Sequence, residues 1–238
     1  MVSITPYVFS DAVREFWETR ERQARAQRER GRSDQGARSA VTGGQQMNGF
    51  IRTITKLLVD AGVPEYDIYS GRRLTELPGY FRPSKEWDLI VVSNKCLLAA
   101  IELKSQVGSL GNNFNNRTEE ALGIALDIWT AYRAGAFHSS PQPWLGYLLL
   151  LEDSEDARKP VKVNEPHFKV FEEFRDASYV KRYEIFCRKL VLERHYTAAC
   201  FILADRERAN LRENYIEPAD DLSASRFLTS LIRHVGQI

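Results

Sequence analysis

Two carboxylates and a lysine are the residues of this sequence best spaced to do chemistry. Asp88 opens one strand-like run, and the tripeptide Glu102-Leu103-Lys104 closes the next. Because successive side chains of a strand alternate between its two faces, Glu102 and Lys104 are expected on one face and Leu103 on the other. The tripeptide is the only Asp/Glu-x-Lys sequence in the chain, and it stands in an apolar hairpin where isolated charges are costly.

The turn between the two runs decides which residue Asp88 faces. A two-residue turn at Asn94-Lys95 places Asp88 opposite Ile101, whereas a three-residue turn over 94–96 places it opposite Glu102. In either register the two carboxylates lie within one position of each other, and directly opposed β-carbons are about 4.5–5.5 Å apart.

Neighbouring carboxylates repel each other, and a cation or a proton between them relieves the repulsion. Hard oxygen ligands favour Mg²⁺, which takes one or two protein carboxylates and keeps several waters. A lysine on the same face can orient a metal-bound water or stabilise negative charge on phosphorus. The pattern therefore predicts a metal site at Asp88 and Glu102 with Lys104 beside it. The alternative interpretation is a structural salt bridge between Glu102 and Lys104.

Other catalytic constellations are missing from the sequence. The four histidines show no metal-ligand spacing, and Gly108 and Gly111 match neither a dinucleotide-binding loop nor a phosphate loop. No GxSxG elbow is present. The three cysteines form no CxxC pair, so neither a disulfide framework nor a zinc ribbon is predicted, and a reducing, cytoplasmic setting is expected.

Polar and basic side chains suited to DNA flank the acidic pair on both sides. Asparagine and arginine can read base edges bidentately, and phosphate is favoured at a helix N-terminus. Turn and capping chemistry is the alternative explanation for the asparagines. The candidates for DNA contact are Arg72, Arg73, Arg82, Lys85, Asn112, Asn113, Asn115, Asn116 and Arg117.

Hydrophobic periodicity predicts an α/β fold, with a mixed central β-sheet flanked by helices. Apolar residues recur at helical spacing over 47–61 until Gly62 and Pro64 end the pattern. Asn116 and Glu119 resemble a capping box at the start of a second helix. Further helices are expected at about 168–195 and at 223–235, and strands at 65–70, 87–93, 96–104, 144–151 and 197–204.

Composition narrows the class of protein. The 238 residues are 43% hydrophobic with a net charge of +1, which suffices for one substantial core and does not point to a partner by charge alone. No apolar run approaches the roughly 18 residues of a membrane span. Seven arginines lie between Arg20 and Arg38, and they belong to either a solvated helix or a basic arm that follows phosphates.

The residues singled out so far resemble those of the PD-(D/E)XK nucleases, with Asp88 as the first acid and Glu102-Leu103-Lys104 as the E-x-K tripeptide. Four stretches resemble, more narrowly, the XhoI-type restriction endonucleases, and the likeness extends over nearly the whole chain. They are LPGYFRPSKEWDLIVV, AAIELKSQVGSLGNNFNNRTEEALGIALDIW, PWLGYLLLLED and EPHFKVFEEFRDASYVKRYEIFC.

This resemblance implies a type II restriction endonuclease that requires Mg²⁺, acts on double-stranded DNA as a homodimer and cuts the palindrome CTCGAG after its first base. It implies that Asp88, Glu102 and the Leu103 carbonyl hold the metal and that Lys104 positions the attacking water. It also implies one restriction-endonuclease domain over 1–238, with an Arg-rich helix and loop (11–46), a nuclease core (47–204) and a C-terminal helical segment (205–238). A repair or structure-specific nuclease, and an idle DNA-binding protein on the same fold, are the alternatives.

Two departures from the superfamily pattern concern the site. Trp87 precedes the first acid, where proline is usual. The helix before the hairpin offers Gln45, Gln46 and Asn48 where an acidic residue often stands, so the sequence does not identify a third protein ligand.

The dimer implied by the resemblance needs an interface outside the sheet. The later helices, at 168–193 or 223–235, are the candidates, with Phe171, Phe174, Tyr179 and Tyr183 as apolar anchors. At least half of these aromatics are expected to belong to the core instead.

Overall fold

The computed structural model describes residues 3–29 and 45–236. The part of the Arg-rich region that falls at residues 30–44 lies outside the described residues. Over the described part, a six-stranded sheet in the order β1-β4-β5-β6-β7-β8 carries the fold, and β2 and β3 form a separate hairpin. The strands are β1 Ile68–Ser70, β2 Glu76–Pro78, β3 Ser84–Glu86, β4 Leu89–Ser93, β5 Cys96–Gln106, β6 Trp144–Glu152, β7 Ala198–Ala204 and β8 Tyr215–Ile216.

The sheet is mixed, as the hydrophobic pattern predicts. Strand β5 pairs antiparallel with β4 and parallel with β6, which in turn pairs parallel with β7. Parallel strands are covered on both faces, and β6 is accordingly buried along all but its last residue. The helices that cover the sheet are α1 Ser10–Glu29, α2 Asn48–Asp60, α3 Leu110–Arg133, α4 Glu155–Arg158, α5 Tyr179–Leu192 and α6 Ala224–Val235.

Two apolar clusters fill the space between helices and sheet. Helices α1, α2 and α6 contribute to one cluster, and α3 and α5 contribute to the other. The predicted end of α2 is confirmed, because Gly62 adopts a positive φ of 97° and Val63 N donates a hydrogen bond to Leu58 O at 3.0 Å. The β-sheet core and its flanking helices thus match the expected fold class.

The β4–β5 hairpin contains elements of both predicted registers. Asn94 and Lys95 form a two-residue turn with positive φ values of 50° and 66°, as hairpin turns of this length require. Ser93 pairs with Cys96, but a bulge between Val91 and Val92 shifts the register, so that Leu89 pairs with Ile101. Continued by one residue, this shifted register brings Asp88 opposite Glu102. The bulge, rather than a longer turn, aligns the two acids.

Three expectations about elements were wrong. Helix α3 begins at Leu110, so Asn116 and Glu119 lie inside it and do not form a capping box. The helix expected at about 168–195 covers only Tyr179–Leu192, because Ser178 accepts a hydrogen bond from Lys181 N and caps it there. The stretch 71–85, which is rich in Gly, Pro and Arg and is therefore predicted to be a loop, instead contributes β2 and most of β3 to a hairpin.

The remaining structural expectations concern cysteines and membranes. Cys96, Cys187 and Cys200 are free thiols, in agreement with the absence of a disulfide framework. No helix within the described residues is long and apolar enough to cross a membrane.

Candidate active site

A cavity of about 690 Å³ opens beside the start of β4 and the middle of β5. Asp88, Glu102 and Lys104 all line it, so the fold brings the three candidate catalytic residues together. Leu103, between the last two, is 4% exposed and belongs to the apolar cluster on the opposite face, as strand alternation predicts.

Glu102 lies at the centre of this cavity wall and is 2% exposed. Its Oε1 accepts a hydrogen bond from Lys104 Nζ at 2.5 Å, and its Oε2 accepts one from Lys85 Nζ at 2.6 Å. Burial acts to raise the pKa of Glu102, but the charges and hydrogen bonds of the two lysines outweigh it and hold that pKa below its ordinary value. The Glu102–Lys104 salt bridge of the alternative interpretation is therefore present, and a second ion pair joins Glu102 of β5 to Lys85 of β3.

Asp88 lies immediately before β4, and its Oδ2 accepts a hydrogen bond from Leu103 N at 2.7 Å. Burial, followed by the nearby charge of Glu102, raises the pKa of Asp88 to about 6. The two carboxylates thus differ in their environments. The lysines stabilise the charged form of Glu102, whereas burial and the charge of Glu102 destabilise the charged form of Asp88.

Trp87 gives a physical reason for the missing proline. Its backbone N–H donates a hydrogen bond to Thr75 O at 3.0 Å, and a proline at this position has no N–H to donate. The Trp87 ring is 3% exposed, and Lys85 Nζ lies 4.7 Å from the ring centroid. This cation–π contact, together with a 2.7 Å hydrogen bond to Glu86 O, holds the Lys85 ammonium on Glu102.

The candidates for DNA contact divide into two groups. Arg72, Lys85 and Arg117 line the cavity together with the acids. Arg73 is exposed outside the cavity lining, and Arg82 is paired with Asp127. The four asparagines, Asn112, Asn113, Asn115 and Asn116, lie within the first turns of α3, and the Asn113 side chain donates to Ser109 O at 3.0 Å.

Arg117 is the candidate on α3 that reaches the acidic cluster. Its Nη1 lies 2.6 Å from Glu120 Oε2, one helical turn further along, and Glu120 also lines the cavity. The Arg117 Nε is buried and has no hydrogen-bond acceptor within the described part of the chain. A buried guanidinium N–H without an acceptor lowers the stability of the folded protein.

Sequence reasoning missed several residues of this site. Arg52 of α2, Ser70 of β1 and Glu120 of α3 also line the cavity. The signal for Glu120 and Arg117 was their spacing of three residues, which places them on one side of a helix once the helix is known to begin at Leu110. Of Gln45, Gln46 and Asn48, which stand where an acidic residue is usual, Asn48 lines the cavity and offers an amide in place of a carboxylate.

The donor set of the cavity is suited to a hard divalent cation. Carboxylate oxygens of Asp88 and Glu102 face it, and neither cysteine nor histidine contributes to its wall. In the ranges 3–29 and 45–236, no group of three or more His, Cys, Asp or Glu side chains is clustered for metal binding. Two carboxylates with open space for waters match the coordination habits of Mg²⁺ better than those of zinc.

Comparison with known proteins places these residues in a family. The sequence model of a family described as restriction endonuclease XhoI matches residues 26–215. The chain is 54% identical over 209 residues to the type II restriction enzyme BstVI of Geobacillus stearothermophilus, covering 85% of this chain and 92% of that protein. It is 45% identical over 183 residues to the type II restriction enzyme XhoI of Xanthomonas vasicola, covering 76% and 73% of the two chains. It is also 46% identical over 160 residues to AbrI of Azospirillum brasilense, covering 67% and 72%. No solved structure matches the chain.

Proposed function

Because this chain belongs to the XhoI restriction endonuclease family, we propose that it is a type II enzyme that cuts double-stranded DNA at the palindrome CTCGAG with Mg²⁺. Its relatives at 45–54% identity bear the names of type II restriction enzymes, so the chain is a site-specific deoxyribonuclease. The proposal adds three points to this assignment: the CTCGAG palindrome, Mg²⁺ as the metal, and cleavage after the first base, which leaves 5′ overhangs.

One observation carries the assignment of the site. Asp88, Glu102 and Lys104 line one cavity. The hairpin register brings the two carboxylates opposite each other, and Lys104 donates a hydrogen bond to Glu102. Burying such a group of charges costs stability that an apolar hairpin would not lose, which supports a functional reason for its presence. Its chemistry fits hydrolysis of a phosphodiester.

The residues have distinct roles in this proposal. Asp88, Glu102 and the Leu103 carbonyl hold the ion, which when bound would lower the pKa of a water and neutralise charge on the phosphate. Lys104 orients the attacking water and stabilises the negative charge that develops on phosphorus. In-line displacement breaks the bond between phosphorus and the 3′ oxygen, and leaves a 5′-phosphate and a 3′-hydroxyl.

Basic groups around the cavity bind the DNA backbone. Arg72 and Arg117 line the cavity beside the acids, where a phosphate must enter for in-line attack. The Arg117 side chain is 27% exposed, and its guanidinium supplies donors for that phosphate. The exposed Arg73 and the asparagines of α3 are further candidates for contacts with DNA beyond the scissile phosphate.

Digestion of a plasmid that contains CTCGAG, followed by sequencing of the fragment ends, tests this function. We expect Mg²⁺-dependent cleavage into discrete fragments whose ends map to CTCGAG and carry 5′ overhangs. A plasmid with the site changed at one base pair serves as the control and is expected to stay intact. Cleavage at other sequences overturns the palindrome alone, structure-dependent nicking favours a repair or resolvase role, and DNA binding without any cleavage favours an idle enzyme.

A further inference from the structure

A buried carboxylate fixes the tip of the β2–β3 hairpin. Asp127 Oδ1 accepts hydrogen bonds from Tyr80 N and Phe81 N, each at 2.8 Å, and its Oδ2 accepts one from Arg82 Nε at 2.7 Å. The Asp127 side chain is 6% exposed. Three donors converge on this one carboxylate, which offsets the cost of burying its charge.

The tip is also tightly packed against its anchor. A β-carbon added at Gly79 would lie 2.7 Å from Arg82 O and 2.8 Å from Asp127 Oδ2. Only glycine therefore allows the turn to approach the carboxylate this closely. The conformation of residues 79–82 is set by the protein before any ligand arrives.

This fixed turn presents two aromatic rings to solvent. Tyr80 is 56% exposed and Phe81 is 66% exposed, with their ring centroids 5.0 Å apart at an interplanar angle of 76°. Polar residues suffice to make a surface turn, so two paired exposed aromatics on a rigid support indicate a contact surface.

The tip lies only a few residues along the chain from the cavity wall. Asp127 follows Ile124, which lines the cavity, by three residues along α3, a rise of about 4.5 Å. The hairpin's second strand leads directly into the cavity wall, to which Lys85, Glu86 and Trp87 contribute. From Phe81 to Asp88 is seven residues, which span at most about 23 Å even when fully extended.

We propose that Tyr80 and Phe81 pack against the base pairs of the duplex beside the scissile phosphate, and that Asp127 is the positioning residue that holds them there. This inference rests on the proposed function, because the DNA is the substrate of the adjoining site. A span of about 23 Å corresponds to about seven base pairs at about 3.4 Å each, so the tip reaches bases within or next to a six-base-pair site. Aromatic side chains bind bases by stacking or by wedging between steps. Arg82 at the same tip pairs with Asp127 through Nε, and its side chain stays 41% exposed.

Equilibrium binding of a CTCGAG duplex in EDTA tests the surface with a double variant, Tyr80→Ala/Phe81→Ala. The expected result is a Kd raised about tenfold or more, with an unchanged dependence of log Kd on log salt because no cation is removed. The control variant, Tyr66→Ala/Leu211→Ala, removes exposed apolar side chains elsewhere and is expected to bind like the wild type.

A fluorescent base analogue, 2-aminopurine, placed at successive positions around the cut adds a readout of direct contact. Its emission is expected to change when the wild type binds and to stay unchanged with the double variant. Asp127→Asn, which keeps the shape but removes the charge, is expected to reduce this change while circular dichroism shows an intact fold.

Two results would overturn the inference. One is a double variant that binds within about twofold of the wild type, far less than the loss of a stacked aromatic produces. The other is a variant that loses only self-association by sedimentation, which would assign the aromatic tip to a second copy of the chain. A wild-type protein that neither binds nor cuts duplex DNA contradicts the proposed function itself, so the two failures are distinguishable.

Discussion

At the scale of single residues, Lys85 and a divalent ion require the same oxygen. Lys85 Nζ lies 2.6 Å from Glu102 Oε2 and its side chain is 13% exposed, so its ammonium must move before a cation binds there. Lys85→Met removes the charge and keeps an apolar stem over Trp87. We expect the DNA-free variant to bind Mg²⁺ about tenfold more tightly or better, because like charges about 4 Å apart repel by several kcal/mol at protein surfaces.

Isothermal titration with Mg²⁺ measures this effect without relying on cleavage. Lys95→Met is the matched control, because Lys95 is exposed in the turn of the β4–β5 hairpin and does not line the cavity. Equal or weaker Mg²⁺ binding by Lys85→Met would show that Lys85 does not compete with the ion.

Asp88 makes metal binding dependent on pH. Burial and the charge of Glu102 raise its pKa to about 6 in the metal-free protein, and an ion requires the deprotonated carboxylate. We therefore expect Mg²⁺ affinity to be constant above this pKa and to fall about tenfold for each pH unit below it. Asp88→Asn, measured in the same titrations, is expected to bind weakly at every pH, and a wild-type affinity that does not change with pH in this range would refute the assignment.

The same raised pKa affects stability in a defined direction. Folding favours the protonated form of Asp88, so this residue's contribution to the free energy of unfolding is fully present below its ordinary pKa of 3.8. It is lost as the pH rises through about 6. We expect Mg²⁺ to offset this loss, because ligand binding stabilises the folded state.

At the scale of elements, α3 offers an internal comparison of two arginines. Arg117 lines the cavity near the helix start, whereas Arg133 is exposed in the last turn of the same helix. We expect Arg117→Ala to weaken binding of CTCGAG duplexes and unrelated duplexes alike, and to reduce the slope of log Kd against log salt by about one unit. Arg133→Ala controls for the loss of one charge, and identical salt slopes for both variants would exclude a phosphate contact by Arg117.

The hairpin and the helices differ in how far the sequence predicts them. Strand alternation and the Asn94-Lys95 turn were sufficient to place Glu102 and Lys104 on one face with Asp88 nearby. The bulge at Val91/Val92, which sets the final register, leaves no mark on a pattern of apolar residues. The start of α3 was missed because its first turns are exposed asparagines, which carry no amphipathic signal and have low helix propensity.

Long-range contacts explain the rest of what the sequence did not predict. The hydrogen bonds that Asp127 accepts come from residues 45–47 positions earlier, and Lys85 reaches Glu102 across 17 positions. Spacing rules describe neighbours on one helix or strand and cannot detect such contacts. The only sequence signal for Asp127 was an acid next to the apolar stripe of α3.

At the scale of the whole molecule, the described residues contain one cavity lined by Asp88, Glu102 and Lys104, and this one site together with the proposed palindromic target calls for a two-fold dimer. Each subunit would then read one half-site and cut one strand. Of the four candidate anchors, Tyr183 is buried, Phe174 and Tyr179 are half-buried, and Phe171 is 76% exposed. The apolar face of α6 packs into the core, so the segment containing Phe171 is the better remaining candidate for the interface.

Sedimentation velocity at micromolar concentration, with and without a CTCGAG duplex, measures the oligomeric state. We expect a dimer at least in the presence of DNA, and we expect Phe171→Ser to weaken it. The control Tyr66→Ser removes another exposed aromatic and is expected to leave the dimer intact. A monomer under both conditions would contradict the two-fold arrangement.

We propose that the buried Glu102 carboxylate, which lies between two lysines, is at the catalytic centre. Single-turnover cleavage of a CTCGAG duplex by wild type, Glu102→Gln and the cavity-lining control Glu86→Gln tests it most directly. We predict that Glu102→Gln lowers the rate by about three orders of magnitude or more, since it removes an ionic ligand, while Kd for the duplex in EDTA stays near the wild-type value. Glu86→Gln is predicted to cut normally. A Glu102→Gln enzyme that cuts at nearly the wild-type rate would contradict the account.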